Sequence, residues 1–215
     1  MTANHSKLAD ALVAQDPSTR LRAALAAGTH PRTALAGVLV ARCAEEPDFY
    51  VRDMLTWALT RLPTEVTLPL LHAELHSETG QARSQALHTI SKIADPSSWA
   101  ELEPVMLRDE DDEVARSAWR AAVVLVPDAR RGELAALLAA SLGRGDRDLQ
   151  RSLSRALVEL GDACEPALRA AATSADPGVR THAAATERLL EDPDAAFAID
   201  VDSARRIDAL GGSPC

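Results

Sequence analysis

Apolar residues along the chain return at helical spacing, every third or fourth position, and no stretch alternates apolar and polar residues as a half-buried strand does. Six stretches share one layout, in which an arginine stands near the start of an apolar helical pattern. They are "DPSTRLRAALAAG", "EPDFYVRDMLTWAL", "ETGQARSQALHTI", "DDEVARSAWRAAV", "DRDLQRSLSRALVELG" and "DPGVRTHAAATERLL". Aligned on Arg20, Arg52, Arg83, Arg116, Arg151 and Arg180, they lie 32, 31, 33, 35 and 29 residues apart. A near-constant period of this size is the mark of a stacked helical array.

Each unit reads as two helices joined by a short turn. The spacing predicts first helices over 5–14, 33–45, 65–76, 98–108, 132–142 and 163–173. It predicts second helices over 18–27, 49–61, 81–93, 113–126, 147–160 and 177–190. Acid–proline pairs such as Asp16-Pro17, Glu46-Pro47 and Asp176-Pro177 are helix-start signals, because proline tolerates the first turn and acids favour it. Gly28, Pro63, Pro127, Gly161 and Pro193 fall near predicted helix ends. Short turns make the paired helices antiparallel, and one hairpin buries its apolar face only against its neighbours. The expected fold is therefore all-α, an α-solenoid of about six stacked helical hairpins over residues 1–192. Residues 193–215 are expected to add a capping helix, "VDSARRIDALGG", and a disordered tail.

The second-helix pattern "DPGVRTHAA" and the first-helix pattern "TLPLL" resemble the HEAT-repeat family, including its short form in phycobilisome lyase-like proteins. The resemblance covers about residues 5–190. It implies a right-handed superhelix whose second helices line the concave side. It also implies that the arginine near each second-helix start bonds loop acids of its own or an adjacent repeat. The acids at hand are Asp16, Glu46, Glu78, Asp112, Asp146 and Asp176.

Composition narrows the function classes. The formal net charge of −9 opposes general binding of a phosphate backbone, so no nucleic-acid partner is expected. No apolar run approaches the ~20 residues needed to span a bilayer, and no membrane association is expected. The start, "MTANHSKLADALVAQD", has no basic stretch leading into an apolar block. Cys43, Cys164 and Cys215 are far apart and odd in number, which suits a reducing cytoplasm and a chain without a disulfide framework. Of the 23 basic residues only Lys7 and Lys92 are lysines. Biased genomic composition and a need for forked donors both account for that.

Candidate chemistry is confined to the second helices. Arg120 and Arg155 follow Arg116 and Arg151 by four residues, which places each pair on one helix face. With the arginine alignment, the equivalent positions elsewhere are Ala24, Thr56, Leu87 and Ala184, so the fold does not require these second arginines. They form an anion-recognition patch or a solvated face offset by the acidic loop "DEDDE" at 109–113. Tyr50, Asp53, Trp57, His88 and Trp119, with Arg83, make a candidate pocket rim; the competing reading places the tryptophans in the core. His72 and His76 have a chelating spacing but no third ligand in sequence, and there is no His-Glu dipeptide of the repeat family's iron hydroxylases. "GRGDR" at 143–147 is too short and charged to cradle a phosphate, and there is no G-x-S-x-G. No cofactor or metal is expected.

The sequence thus reads as a non-enzymatic scaffold or adaptor, a monomer or weak dimer. Its partner would be a protein or peptide, with an acidic or phosphorylated segment meeting Arg116, Arg120, Arg151 and Arg155. The alternative is an enzyme or lyase-like subunit. Bilin lyases of similar repeat type handle tetrapyrrole propionates, and HEAT-like DNA glycosylases use tryptophans and an aspartate, which Trp57, Trp119 and Asp53 echo without matching the motif spacing.

Overall fold

The computed structural model describes residues 2–192, with side chains from Lys7 onward. The expected capping helix and tail lie outside the described residues. Every regular element among the described residues is helical. They form two compact units, one running to Asp128 and one beginning at Ala129.

The first unit holds α1 (Thr2–Leu12), α2 (Pro17–Thr29), α3 (Ala36–Glu45), α4 (Phe49–Thr60), α5 (Thr64–Glu74), α6 (Gly80–Ile93) and α7 (Asp112–Leu125). Helices α1, α3 and α5 pack in sequence as one layer, and α2, α4, α6 and α7 as the other. The second unit holds α8 (Arg131–Ala139), α9 (Arg147–Glu159), α10 (Glu165–Ala171) and α11 (Pro177–Glu191). Here α8 packs on α10 and α9 on α11. Leucine and alanine fill the interior: Leu39, Leu55, Leu59, Leu87 and Ala118 in the first unit, Leu134, Leu138, Leu153 and Leu157 in the second.

One expected helix is absent. In place of a helix over 98–108 stand two 3-10 segments, Pro96–Glu101 and Met106–Arg108. Pro104 lies between them; it lacks an N–H and disfavours the α conformation of Glu103 before it. The opened backbone gains a partner from α7, because the buried Trp119 indole N–H donates to the Leu107 carbonyl at 2.8 Å.

Aspartates start the second helices. Asp16, Asp48, Asp111, Asp146 and Asp176 are N-caps whose carboxylates accept backbone N–H groups of the first turn. Thr79 holds the same place before α6. Counting from these caps exposes a device that loop acids alone do not describe. Four residues after its cap, an arginine folds back and one guanidinium nitrogen donates to two carbonyls of the preceding turn. Arg20 reaches Ala14 and Gln15 at 2.9 and 2.8 Å. Arg52 reaches Glu46 and Pro47 at 2.7 and 2.9 Å. Arg83 reaches Ser77 and Glu78, and Arg180 reaches Ser174 and Ala175. These carbonyls follow the first helix of each hairpin, where intrahelical donors run out.

Two residues before the cap lies the other half of the device. Glu46 and Asp109 occupy that position, and each accepts the N–H of its cap residue, from Asp48 at 3.0 Å and Asp111 at 2.9 Å. Each also receives a forked pair of bonds from the clamp arginine of the preceding repeat. Arg20 binds Glu46 at 2.6 and 2.7 Å, and Arg83 binds Asp109 at 3.0 Å through both nitrogens. Ser77 and Ser174 hold the equivalent position with hydroxyls, which accept only the cap N–H. Of the acids expected to pair with the arginines, Glu46 does so; Asp16, Asp146 and Asp176 are caps instead.

The cap register also corrects two expected framework arginines. Arg116 and Arg151 stand five residues after their caps, one position past the clamp. In the fourth repeat the clamp position is the buried Ala115. Arg116 pairs only with Glu113 of its own helix, at 3.4 Å with 23% of its side chain exposed, and its buried Nε has no hydrogen-bond partner. In the fifth repeat Gln150 takes the clamp role, donating to Gly143 and Gly145 at 3.4 and 3.1 Å. Arg151 is exposed, with Asp148 at 3.9 Å.

Glu46 is fully buried and also receives Arg42 at 2.9 Å. Burial works to raise its pKa, but the Arg20 bond, the Asp48 N–H and Arg42 outweigh it and hold the carboxyl at about 2. Two predictions follow from this geometry. Glu46→Ala leaves Arg20 buried without its partner and lowers unfolding stability by about 3–5 kcal/mol in denaturant titration. In the wild type, the Glu46 contribution is complete above the ordinary carboxylate pKa of 4.5 and fades as pH falls toward about 2, since the unfolded chain takes the proton first; Glu46→Ala flattens that part of the pH–stability curve. In the second unit, Gln150→Ala lowers stability by about 1 kcal/mol through the lost carbonyl bonds, while Arg151→Ala stays within about 0.5 kcal/mol; equal losses would contradict the cap register.

Candidate functional site

The cap register sorts the predicted site residues into core and surface. Eight residues after the cap lies a buried row: Ala24, Thr56, Leu87, Trp119 and Ser154. Nine residues after the cap lies a row of solvent-facing positions: Leu25, Trp57, His88, Arg120 and Arg155. Arg120 is thus equivalent to Trp57 and His88, and not to the small or buried residues that the arginine alignment gave it. Trp119, expected on the partner-binding rim, is 0% exposed and belongs to the core. Arg83, expected there too, is engaged in the clamp and with Asp109.

In the first unit the exposed row runs over adjacent helices, since α2 packs on α4, α4 on α6 and α6 on α7. Trp57 is 36% exposed, and its ring lies so close to α2 that a methyl group on Gly28 would overlap it. Asp53 lies one turn before Trp57 on the same exposed face of α4, and Lys92 one turn after His88 on α6. Burial holds the His88 imidazole below its ordinary pKa; Lys92 and Arg120 push the same way, and Asp53 opposes them. His88 therefore sits within the electrostatic reach of α4, α6 and α7 together. Tyr50 is 71% exposed at the start of α4 and stacks edge-on against Phe49, with ring centres 5.7 Å apart. Sequence inspection missed Phe49, Leu25 and the exposed Val124; the signal for Leu25 was the cap register, which makes it the counterpart of Trp57.

In the second unit, Arg147, Arg151 and Arg155 are exposed at intervals of four along α9, a single basic face. This unit also brings a serine and a histidine together, with Ser154 Oγ 3.0 Å from His182 Nε2. They do not form a nucleophile and base. His182 Nδ1 accepts the Gly143 N–H at 3.0 Å, so the neutral ring carries its proton on Nε2, facing Ser154 and the Gln150 carbonyl. A nitrogen that already bears a proton cannot take one from the serine. Ser154 and His182 are both buried, and burial lowers the His182 pKa, which keeps the ring neutral.

Cys43 and Cys164 are free and buried, and burial pushes the Cys43 thiol up to about 12, far from a reactive thiolate. His72 Nε2 lies 3.0 Å from the buried Ser98 hydroxyl. Among the described residues no group of three or more His, Cys, Asp and Glu side chains is placed to hold a metal ion, and no helix is long and apolar enough to cross a membrane.

Comparison with known proteins places this geometry. No curated protein matches the chain. Two engineered proteins, solved by crystallography as Northeast Structural Genomics Consortium targets, are similar in structure. One is 22% identical, with a TM-score of 0.48 over 86% of this chain and 94% of its own. The other is 19% identical, with a TM-score of 0.48 over 86% of this chain and 96% of its own. The family model for HEAT repeats matches residues 38–123, which span the second hairpin, the third hairpin and most of α7. Over its described residues the chain is an all-α helical-repeat protein, and residues 38–123 match the HEAT-repeat family.

Proposed function

We propose that this protein is a non-enzymatic scaffold or adaptor that docks a partner protein or peptide on the exposed face of its second helices. The observation that carries the reading is the row nine residues after each cap. In a stacked array a repeated position is either core or surface; this one is exposed in every repeat but the third, where His88 is half-buried, while its immediate neighbour is buried in every repeat but the sixth. Upon that row the chain places Trp57, Arg120 and Arg155, residue types enriched where proteins bind one another. An acidic or phosphorylated segment suits Arg120 in the first unit and Arg147, Arg151 and Arg155 in the second. Such a role uses a fixed surface and no reactive group, in keeping with an inert thiol at Cys43 and a misprotonated serine–histidine pair. The overall charge of −9 favours a protein over a nucleic acid as partner.

Affinity capture with mass spectrometry tests this reading. The full chain, tagged, is compared with the double variant Arg120→Glu, Arg155→Glu, whose circular dichroism is expected to match the wild type because both positions are exposed. A partner retained by the wild type and lost by the double variant is the expected result. Capture of the same proteins by both would show that neither Arg120 nor Arg155 takes part in binding.

A further inference from the structure

The exposed row of the first unit is not uniformly basic; it changes sign along its length. At α4 it offers the Trp57 ring and the Asp53 carboxylate, and at α6 and α7 it offers Lys92 and Arg120. Among the described residues, no basic side chain lies within ion-pairing distance of Asp53 and no carboxylate within that distance of Lys92. The Trp57 ring is held by its seat on Gly28. Glycine weakens a helix relative to alanine, and at this position it is what leaves room for the indole. The ring is thereby fixed on one side and open on the other, with a carboxylate one turn away. That combination receives a cation: the ring face attracts it and the carboxylate pairs with it.

We infer that the first unit docks an extended peptide of opposite end charges, with an arginine or lysine over Trp57 and Asp53 and an aspartate or glutamate at Lys92 and Arg120. The inference rests on the docking role proposed for this face and adds the chemistry of the occupant. The spacing follows from the layer itself. Packed helices lie 8–10 Å apart, so the two helix steps from α4 through α6 to α7 span about 16–20 Å. An extended chain advances about 3.3 Å per residue, which places the peptide's two charges about five or six residues apart. His88 lies under the middle of that span, influenced by Asp53 from one side and by Arg120 from the other.

A random-peptide display library, about twelve residues long and so able to cross the whole layer, is selected on the immobilised full chain. The expected outcome is enrichment of peptides with a basic and an acidic residue about five or six positions apart. A synthetic copy of an enriched peptide, followed by fluorescence anisotropy, is expected to bind about tenfold more weakly to Asp53→Lys, a loss equivalent to 1.4 kcal/mol. Lys92→Glu with Arg120→Glu is expected to weaken it to a similar degree, and a peptide with its basic residue changed to glutamate should bind Asp53→Lys more tightly than the wild type. Enrichment of uniformly acidic peptides, indifferent to Asp53→Lys but lost with the Lys92 and Arg120 changes, would overturn this inference and leave the docking role standing. Peptides indifferent to all these changes and to Trp57→Ala, or no enrichment at all, would count against both. Asp53 and Lys92 are exposed, so their variants keep the test valid if Trp57→Ala disturbs the Gly28 seat.

Discussion

The repeat layout depends on one constraint: each second helix begins where the carbonyls of the preceding helix have lost their partners. A carbonyl left bare and partly buried is costly, and the turns before α2, α4 and α6 each hold at least one such carbonyl. The chain meets this with a side chain four residues past the N-cap, long enough to return to the turn and bearing donors at its tip. Arginine does so at residues 20, 52, 83 and 180, and Gln150 does so with a shorter reach. Arginine has a second use that glutamine lacks. Its remaining nitrogens extend to the next repeat, where Glu46 and Asp109 accept them, so the same side chain closes its own hairpin and fixes its neighbour.

This constraint separates structure from recognition along each helix. The clamp position and the buried row are spoken for by the fold. The row nine residues past the cap serves neither as cap nor as clamp, and its residue types vary from leucine to tryptophan, histidine and arginine. Variation there changes what the surface can hold without loosening the stack. Trp57 shows the one point where recognition reaches back into the framework, since the open ring requires a glycine in α2.

Much of this was legible in the sequence, and the failures share a cause. The period, the hairpins and the all-helical class follow from apolar spacing, which the fold must satisfy over many residues at once. Apolar spacing predicts a helix over 98–108, but the backbone opens at Pro104 into two 3-10 segments; proline alone does not decide this, since α5 carries Pro69 inside it, and the bond from Trp119 to the Leu107 carbonyl completes the opened form. Arg116 and Arg151 were misassigned because arginine served as the ruler. The physical ruler is the aspartate cap, and in "DEDDE" five consecutive acids conceal which one is the cap. Once Asp111 is taken as the cap, Trp119 moves into the buried row and Arg120 joins Trp57 and His88. The face proposed for docking depends on that one-residue shift, and no periodicity of apolar residues alone supplies it.

The most direct test of this account compares Arg52→Ala with Arg120→Ala by denaturant unfolding of the full chain. Both changes remove an arginine from a second helix of the first unit, and only Arg52 bonds the turn carbonyls of Glu46 and Pro47. The account predicts that Arg52→Ala lowers stability by about 1 kcal/mol, the net worth of its lost carbonyl bonds, since the Glu46 carbonyl keeps its bond from Gln81, while Arg120→Ala stays within about 0.5 kcal/mol. Equal destabilisation by the two, or a larger loss from Arg120→Ala, would contradict it.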